Sequence, residues 1–183
     1  GAQALDTNTR SSNNTAVGYQ SLDTNTTDSE NTAIGMGSMY DNVSGEDNTA
    51  VVCRTLQNIT SGDCNTHIGV ISGSALTTGC YNTGVGWKSL GSNTTASNNT
   101  AVGFCSLGSN TTGAGNVAVG TNVLCANTTG SNNAGVGYRA LEKNTAGQYN
   151  YGFGHNSVYS NTTGCRNVAM GFHSLFSSTT ACK

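Results

Sequence analysis

The chain has 183 residues with no proline, 25 glycines and seven cysteines, and its formal net charge is −2. Only 9% of residues are charged, which excludes the basic stripe that nucleic-acid binding needs. No apolar run is long enough to span a bilayer, so membrane insertion is not expected either.

The predicted elements recur along the chain at a fixed interval. Asparagine returns every seventeen residues at Asn14, Asn31, Asn48, Asn65, Asn82, Asn99, Asn116, Asn133, Asn150 and Asn167. Counting that Asn as phase 1, phase 4 is apolar throughout, from Val17 to Met170, and phase 5 is Gly except at Val52. Phase 9 is apolar except at Gly73, and phase 13 is Thr except at Val43. A strict period means that each unit stacks on the next. Seventeen residues are too few for a helical hairpin, and no unit has a helical apolar stripe. Two short β-like pieces per unit, phases 2–4 and 7–10, predict an all-β parallel solenoid, a β-roll of about eleven turns. At about 4.8 Å per turn the rod would be on the order of 50 Å long. Absence of proline suits a backbone whose N–H groups are all needed between turns. The core is expected to be thin, with one Val-type residue at phase 4 and one Leu-type at phase 9. The phase-1 Asn column is read as a hydrogen-bonded ladder, with a left-handed turn position as the alternative. Residues 1–183 read as a single solenoid without capping sequences, and so as a segment or subunit of a longer fibre.

Along the chain, the first turns carry most of the acid. Asp28, Glu30, Glu46, Asp47 and Asp63 fall at phases 15–17 of successive turns, where stacked carboxylates need screening or a bridging cation. Calcium is the candidate ion and a solvated acidic corner the alternative; no other cofactor is expected. Ile59 and Leu76 then interrupt phase 12, which predicts a register change or bulge. Elsewhere phase 12 supplies most of nine N-x-Ser/Thr sequons: Asn13, Asn25, Asn42, Asn58, Asn93, Asn98, Asn110, Asn127 and Asn161. Glycosylation there would require phase 12 to face outward and phase 13 inward; the alternative is that Asn-Thr-Thr is only the turn sequence of the repeat. Bulky residues at phase 6, among them Tyr19, Met36, Trp87, Phe104, Tyr138 and Phe172, are read as partly buried or inter-chain.

The cysteines suggest staples. Cys165 and Cys182 are seventeen apart, and Cys64 and Cys80 sixteen apart, so each pair falls in adjacent turns within disulfide reach. Cys53, Cys105 and Cys125 have no evident partner, and the spacings do not suit zinc. His67, His155 and His173 are scattered along the axis with no matching nucleophile, so no catalytic residue and no enzymatic activity are expected.

The stretches Asn14-Thr15-Ala16-Val17-Gly18-Tyr19-Gln20-Ser21-Leu22 and Asn99-Thr100-Ala101-Val102-Gly103-Phe104-Cys105-Ser106-Leu107, each followed by Asn-Thr-Thr, resemble a known repeat. It is the N-T-A-x-G-Y-Q-A-L repeat of phage and bacterial tail-fibre-like surface proteins, and more distantly the head repeat of trimeric autotransporter adhesins. The resemblance implies a left-handed β-roll assembled as a homotrimer or homopolymer. The expected function is therefore structural: a secreted fibre, extracellular or on a particle surface. The alternatives are an adhesin recognising glycans or matrix, and an ice-binding protein.

Overall fold

The computed structural model describes residues 1–182. It has ten three-residue strands: β1 Thr15–Val17, β2 Thr32–Ile34, β3 Thr49–Val51, β4 Thr66–Ile68, β5 Thr83–Val85, β6 Thr100–Val102, β7 Val117–Val119, β8 Ala134–Val136, β9 Tyr151–Phe153 and β10 Val168–Met170. They form one parallel sheet in chain order, each strand pairing with residues seventeen further on. The chain is an all-β solenoid. Register holds through the turns containing Ile59 and Leu76, with Thr49 opposite Thr66 and Thr66 opposite Thr83. The expected bulge is absent because those side chains simply replace Asn inside the coil, where both are fully buried.

β-branched residues at phases 2 and 4 favour the extended strand, and phase 5 ends it. The phase-5 glycines have φ between 111° and 138°. A Cβ on Gly103 would lie 2.4 Å from the Gly120 carbonyl oxygen of the next turn, so glycine permits the turns to approach. The second predicted strand, phases 7–10, does not form. Phases 7 and 9 instead take left-handed conformations, as at Gln20 (φ 54°), Leu22 (φ 50°) and Leu124 (φ 50°). A left-handed leucine costs about 1–2 kcal/mol. Full burial of its side chain contributes about 1.5–3 kcal/mol, enough to offset that strain. The reversals also turn successive N–H groups up and down the axis. Leu22 donates forward to Ser38 O (3.1 Å) and Gln20 backward to Ala2 O (3.2 Å).

The core is thin but differs in composition from the expectation. Phase 3 points inward, as in Ala33, Ala50, Ala101 and Ala118, and packs against the phase-9 leucines. Phase 4 points outward, leaving Val17 55% and Ile34 39% exposed. A three-residue strand has only one inward position, and small phase-3 residues leave the interior to leucine. Phase 8 is buried too, its serines donating back to the phase-5 carbonyl, as Ser106 Oγ does to Gly103 O (3.1 Å).

Candidate functional site

Behind the strands, phase 1 makes a continuous polar column. Asn14 Oδ1 accepts from the Asn31 N–H (2.9 Å), Asn31 Oδ1 from Asn48 (3.0 Å), and so on to Asn150 and Asn167 (3.2 Å). In all ten units the Nδ2 group also donates to the phase-15 carbonyl fourteen residues on, as Asn99 does to Gly113 O (3.0 Å). Phase 1 is not left-handed; phase 17 is, at Asn13, Glu30 and their successors. Amide side chains in this column take the place of water for backbone groups that the coil buries.

Phase 12 builds a second column inside the coil, which overturns the outward orientation that glycosylation requires. Asn25, Asn42, Asn93, Asn110, Asn127 and Asn161 are all fully buried. Asn110 Nδ2 donates to Asn93 Oδ1 (2.9 Å), Asn127 to Asn110 (2.8 Å), Asn144 to Asn127 (2.8 Å) and Asn161 to Asn144 (2.7 Å). The same nitrogen, the atom a glycan would use, also closes its own turn, as from Asn127 to Gly130 O (2.9 Å). Phase 13 correspondingly faces out, with Val43 51% exposed. The outward threonine hydroxyls donate to the next turn, as Thr111 Oγ1 does to Thr128 O (3.0 Å). Of the nine sequon asparagines, Asn13, Asn58 and Asn98 are exposed.

The outer face of the sheet is the most distinctive surface. Phases 2, 4 and 6 all project from it, and none of their thirty residues in ten turns is Asp, Glu, Lys or Arg. Trp87 and Phe104 stack there at 4.7 Å, and His155 lies between Tyr138 (5.0 Å) and Phe172 (5.2 Å). The phase-6 column thus shares a side with phase 4, as strand alternation requires, but that side is the outer one. The signal that could have revealed this was phase 3, where only Ala, Gly and His67 occur, sizes suited to a tight interior.

The remaining candidates separate. Asp28 turns inward and is buried, whereas Glu30, Glu46 and Asp47 are exposed. Burial pushes the Asp28 carboxyl up, the Thr27 hydroxyl opposes this, and Glu46 and Asp63 add to it. Asp63 Oδ1 accepts from the Glu46 N–H (3.0 Å). Among the described residues no group of three or more His, Cys, Asp or Glu side chains gathers as metal ligands. Cys165 and Cys182 form a disulfide with Cα atoms 4.6 Å apart. Cys64 and Cys80 are free thiols, which corrects the second expected staple. The seventeen-residue register places Cys80 over Asp63, whose N–H donates to its sulfur (3.3 Å), and puts Cys64 one phase away. His67 is fully buried, while His155 and His173 are exposed. No protein-family model, no curated protein and no solved structure matches this chain.

Proposed function

We propose that this chain is a structural protein, a stiff rod that associates side by side with copies of itself to build an extracellular or particle-surface fibre. The observation that carries the reading is the uncharged outer face of the sheet. Ten strands at about 4.8 Å spacing make it about 48 Å long, and phases 2–6 make it roughly 13 Å wide. That is about 600 Å² per copy before side-chain relief is counted, approaching the roughly 800 Å² per partner of a standard interface. An uncharged face of this size, apolar at every phase-4 position, signals a partner. A second copy is the partner whose columns repeat at the same pitch, so every side chain meets an equivalent environment along the axis.

Two internal amide columns support the mechanical side of the proposal, because phase 1 ties each turn to the next from Asn14 to Asn167, and phase 12 does so from Asn93 to Asn161, independently of the strands. The disulfide Cys165–Cys182 supports an oxidising, secreted setting. The adhesin alternative draws on the stacked Trp87 and Phe104 rings, a platform that a sugar could use. Ice binding is favoured less, since the phase-13 hydroxyls already donate to backbone carbonyls.

Light scattering on the purified chain tests the proposal. The expected mass is a multiple of 18.6 kDa, falling to one unit in Val102→Asp/Val136→Asp, which charges the face without entering the core. A monomeric wild type that binds a glycan array would instead establish the adhesin.

A further inference from the structure

We infer that Cys105 and Cys125, left without a partner by sequence spacing, form an inter-turn disulfide that staples the middle of the rod. Their sulfurs are 2.8 Å apart, closer than two unbonded sulfur atoms can rest, and both side chains are half-buried. The two positions are phase 7 of one turn and phase 10 of the next, twenty residues on. The same pair of phases brings Arg139 to Tyr159, also twenty apart, where the guanidinium donates to the phenol oxygen (2.8 Å). Side chains at these phases therefore meet as a rule of the coil. The site is also cleared for sulfur: a Cβ on Gly108 would lie 2.6 Å from Cys105 Sγ. Glycine at 108 leaves the space that the thiol occupies.

Closure needs a two-electron oxidant, and a low-molecular-weight disulfide suffices. Burial pushes the Cys125 thiol up to about 12, with the Cys105 hydrogen bond adding to this, which makes Cys125 a poor first nucleophile. The Cys105 thiolate attacks the small disulfide, forms a mixed disulfide and expels one small thiol. Cys125, losing its proton to solvent, then attacks Cys105 Sγ and expels the second. Two protein thiols are oxidised and one small disulfide is reduced to two thiols. The closed loop is short and already native in shape, so the bond restrains the unfolded chain without moving the fold.

The test is incubation of the reduced, folded chain with oxidised glutathione, followed by non-reducing peptide mapping and thermal melting. The expected result is a peptide linking residues 105 and 125, 2 Da lighter than its two thiol halves. The melting midpoint should also rise by about 5 °C or more beyond the rise that oxidation gives Cys125→Ser. Cys125→Ser keeps Cys165 and Cys182, so their cross-link controls for folding and oxidation. If that control link forms while Cys105 and Cys125 are both alkylated by iodoacetamide, the inference is overturned. Linkage of either cysteine to Cys53, Cys64 or Cys80 would overturn it as well. The outcome is independent of whether copies associate.

Discussion

The turns on either side of Asn82 fill the same interior with different chemistry. From Asn93 to Asn161 the phase-12 amides form an unbroken chain of side-chain hydrogen bonds, beside the apolar cluster that runs from Leu90 to Ala169. Before Asn82 the interior holds a separate apolar cluster, Leu22 to Leu76, in which Ile59 and Leu76 occupy the amide positions. The amide chain starts at Asn93 because Leu76, in the turn before it, offers no acceptor. Between the clusters lies His67, in a column otherwise reserved for Ala and Gly. Its ring takes the space that a phase-9 leucine would fill: a Cβ on Gly73 would be 2.6 Å from it, and one on Gly84 2.4 Å. The two departures from the repeat, at 67 and 73, are thus one packing event, which the glycine at 84 accommodates. The comparison teaches that the solenoid tolerates changes of chemistry as long as volume and axial hydrogen bonding are conserved locally.

The sharpest way to break this comparison is a double-mutant cycle. Gly73→Leu alone forces a side chain into the imidazole at a left-handed position (φ 59°) and should destabilise by about 3 kcal/mol or more. His67→Ala alone leaves a cavity and should cost about 2–4 kcal/mol. Together they recreate an ordinary turn, so the double variant should be at least as stable as the better single variant. Urea denaturation of the four proteins measures the cycle; simple additivity would show that the two departures are unrelated.

The same histidine should set the acid response. Ser89 Oγ donates to Gly86 O (3.1 Å); Ser72 Oγ donates to Gly84 O (3.1 Å) and lies 2.8 Å from Ser89 Oγ and 2.9 Å from His67 Nδ1. His67 Nε2 is buried with no hydrogen-bond partner among the described residues. Burial lowers the His67 imidazolium from 6.5 to about 3. With a folded value below the unfolded one, the unfolded chain binds more protons between them. His67 therefore contributes nothing adverse above pH 6.5, and stability falls by up to about 1.4 kcal/mol per unit as pH drops towards 3. Burial raises the Asp28 and Asp41 carboxyls, which tilts stability the opposite way near pH 4, so the slope is best read between pH 5 and 6. His67→Ala should flatten it; a wild-type slope of zero would place water or movement around the ring.

Much of this was legible from the period, and the misses share one cause. Spacing gave the parallel stack, the register and the Cys165–Cys182 disulfide, because these depend only on which residues lie above one another. Facing was not legible. Alternation from phase 4 assumes extended backbone, yet phases 5, 7 and 9 are left-handed, and a Leu such as Leu107 (φ 49°) carries no local mark of that conformation. Hence Val102, expected in the core, lies on the outer face, and Asn110, which glycosylation would require at the surface, lies inside. The Cys105–Cys125 contact was missed for the same reason, since it joins different phases brought together by those reversals.

A smaller effect sharpens the comparison from the regular side. Asn127→Leu would place in the later turns the residue type that Leu76 supplies in the earlier one. It removes the donor to Asn110 Oδ1 and to Gly130 O, and the acceptor of Asn144 Nδ2, which keeps Gly147 O (3.0 Å). Asn110 Oδ1 is left unsatisfied, at about 1–3 kcal/mol, whereas Gly130 O keeps its donor from Asn116 Nδ2 (2.9 Å). Burial of the leucine side chain, by about 1.5–3 kcal/mol, opposes this. The net loss should be at most about 1 kcal/mol, below that of Gly73→Leu. Asn127→Ala lacks the apolar gain and should cost more than Asn127→Leu, an ordering that chemical denaturation reads directly. If leucine proved worse than alanine, the later turns would be too tight for the earlier solution, and volume rather than hydrogen bonding would distinguish the two halves.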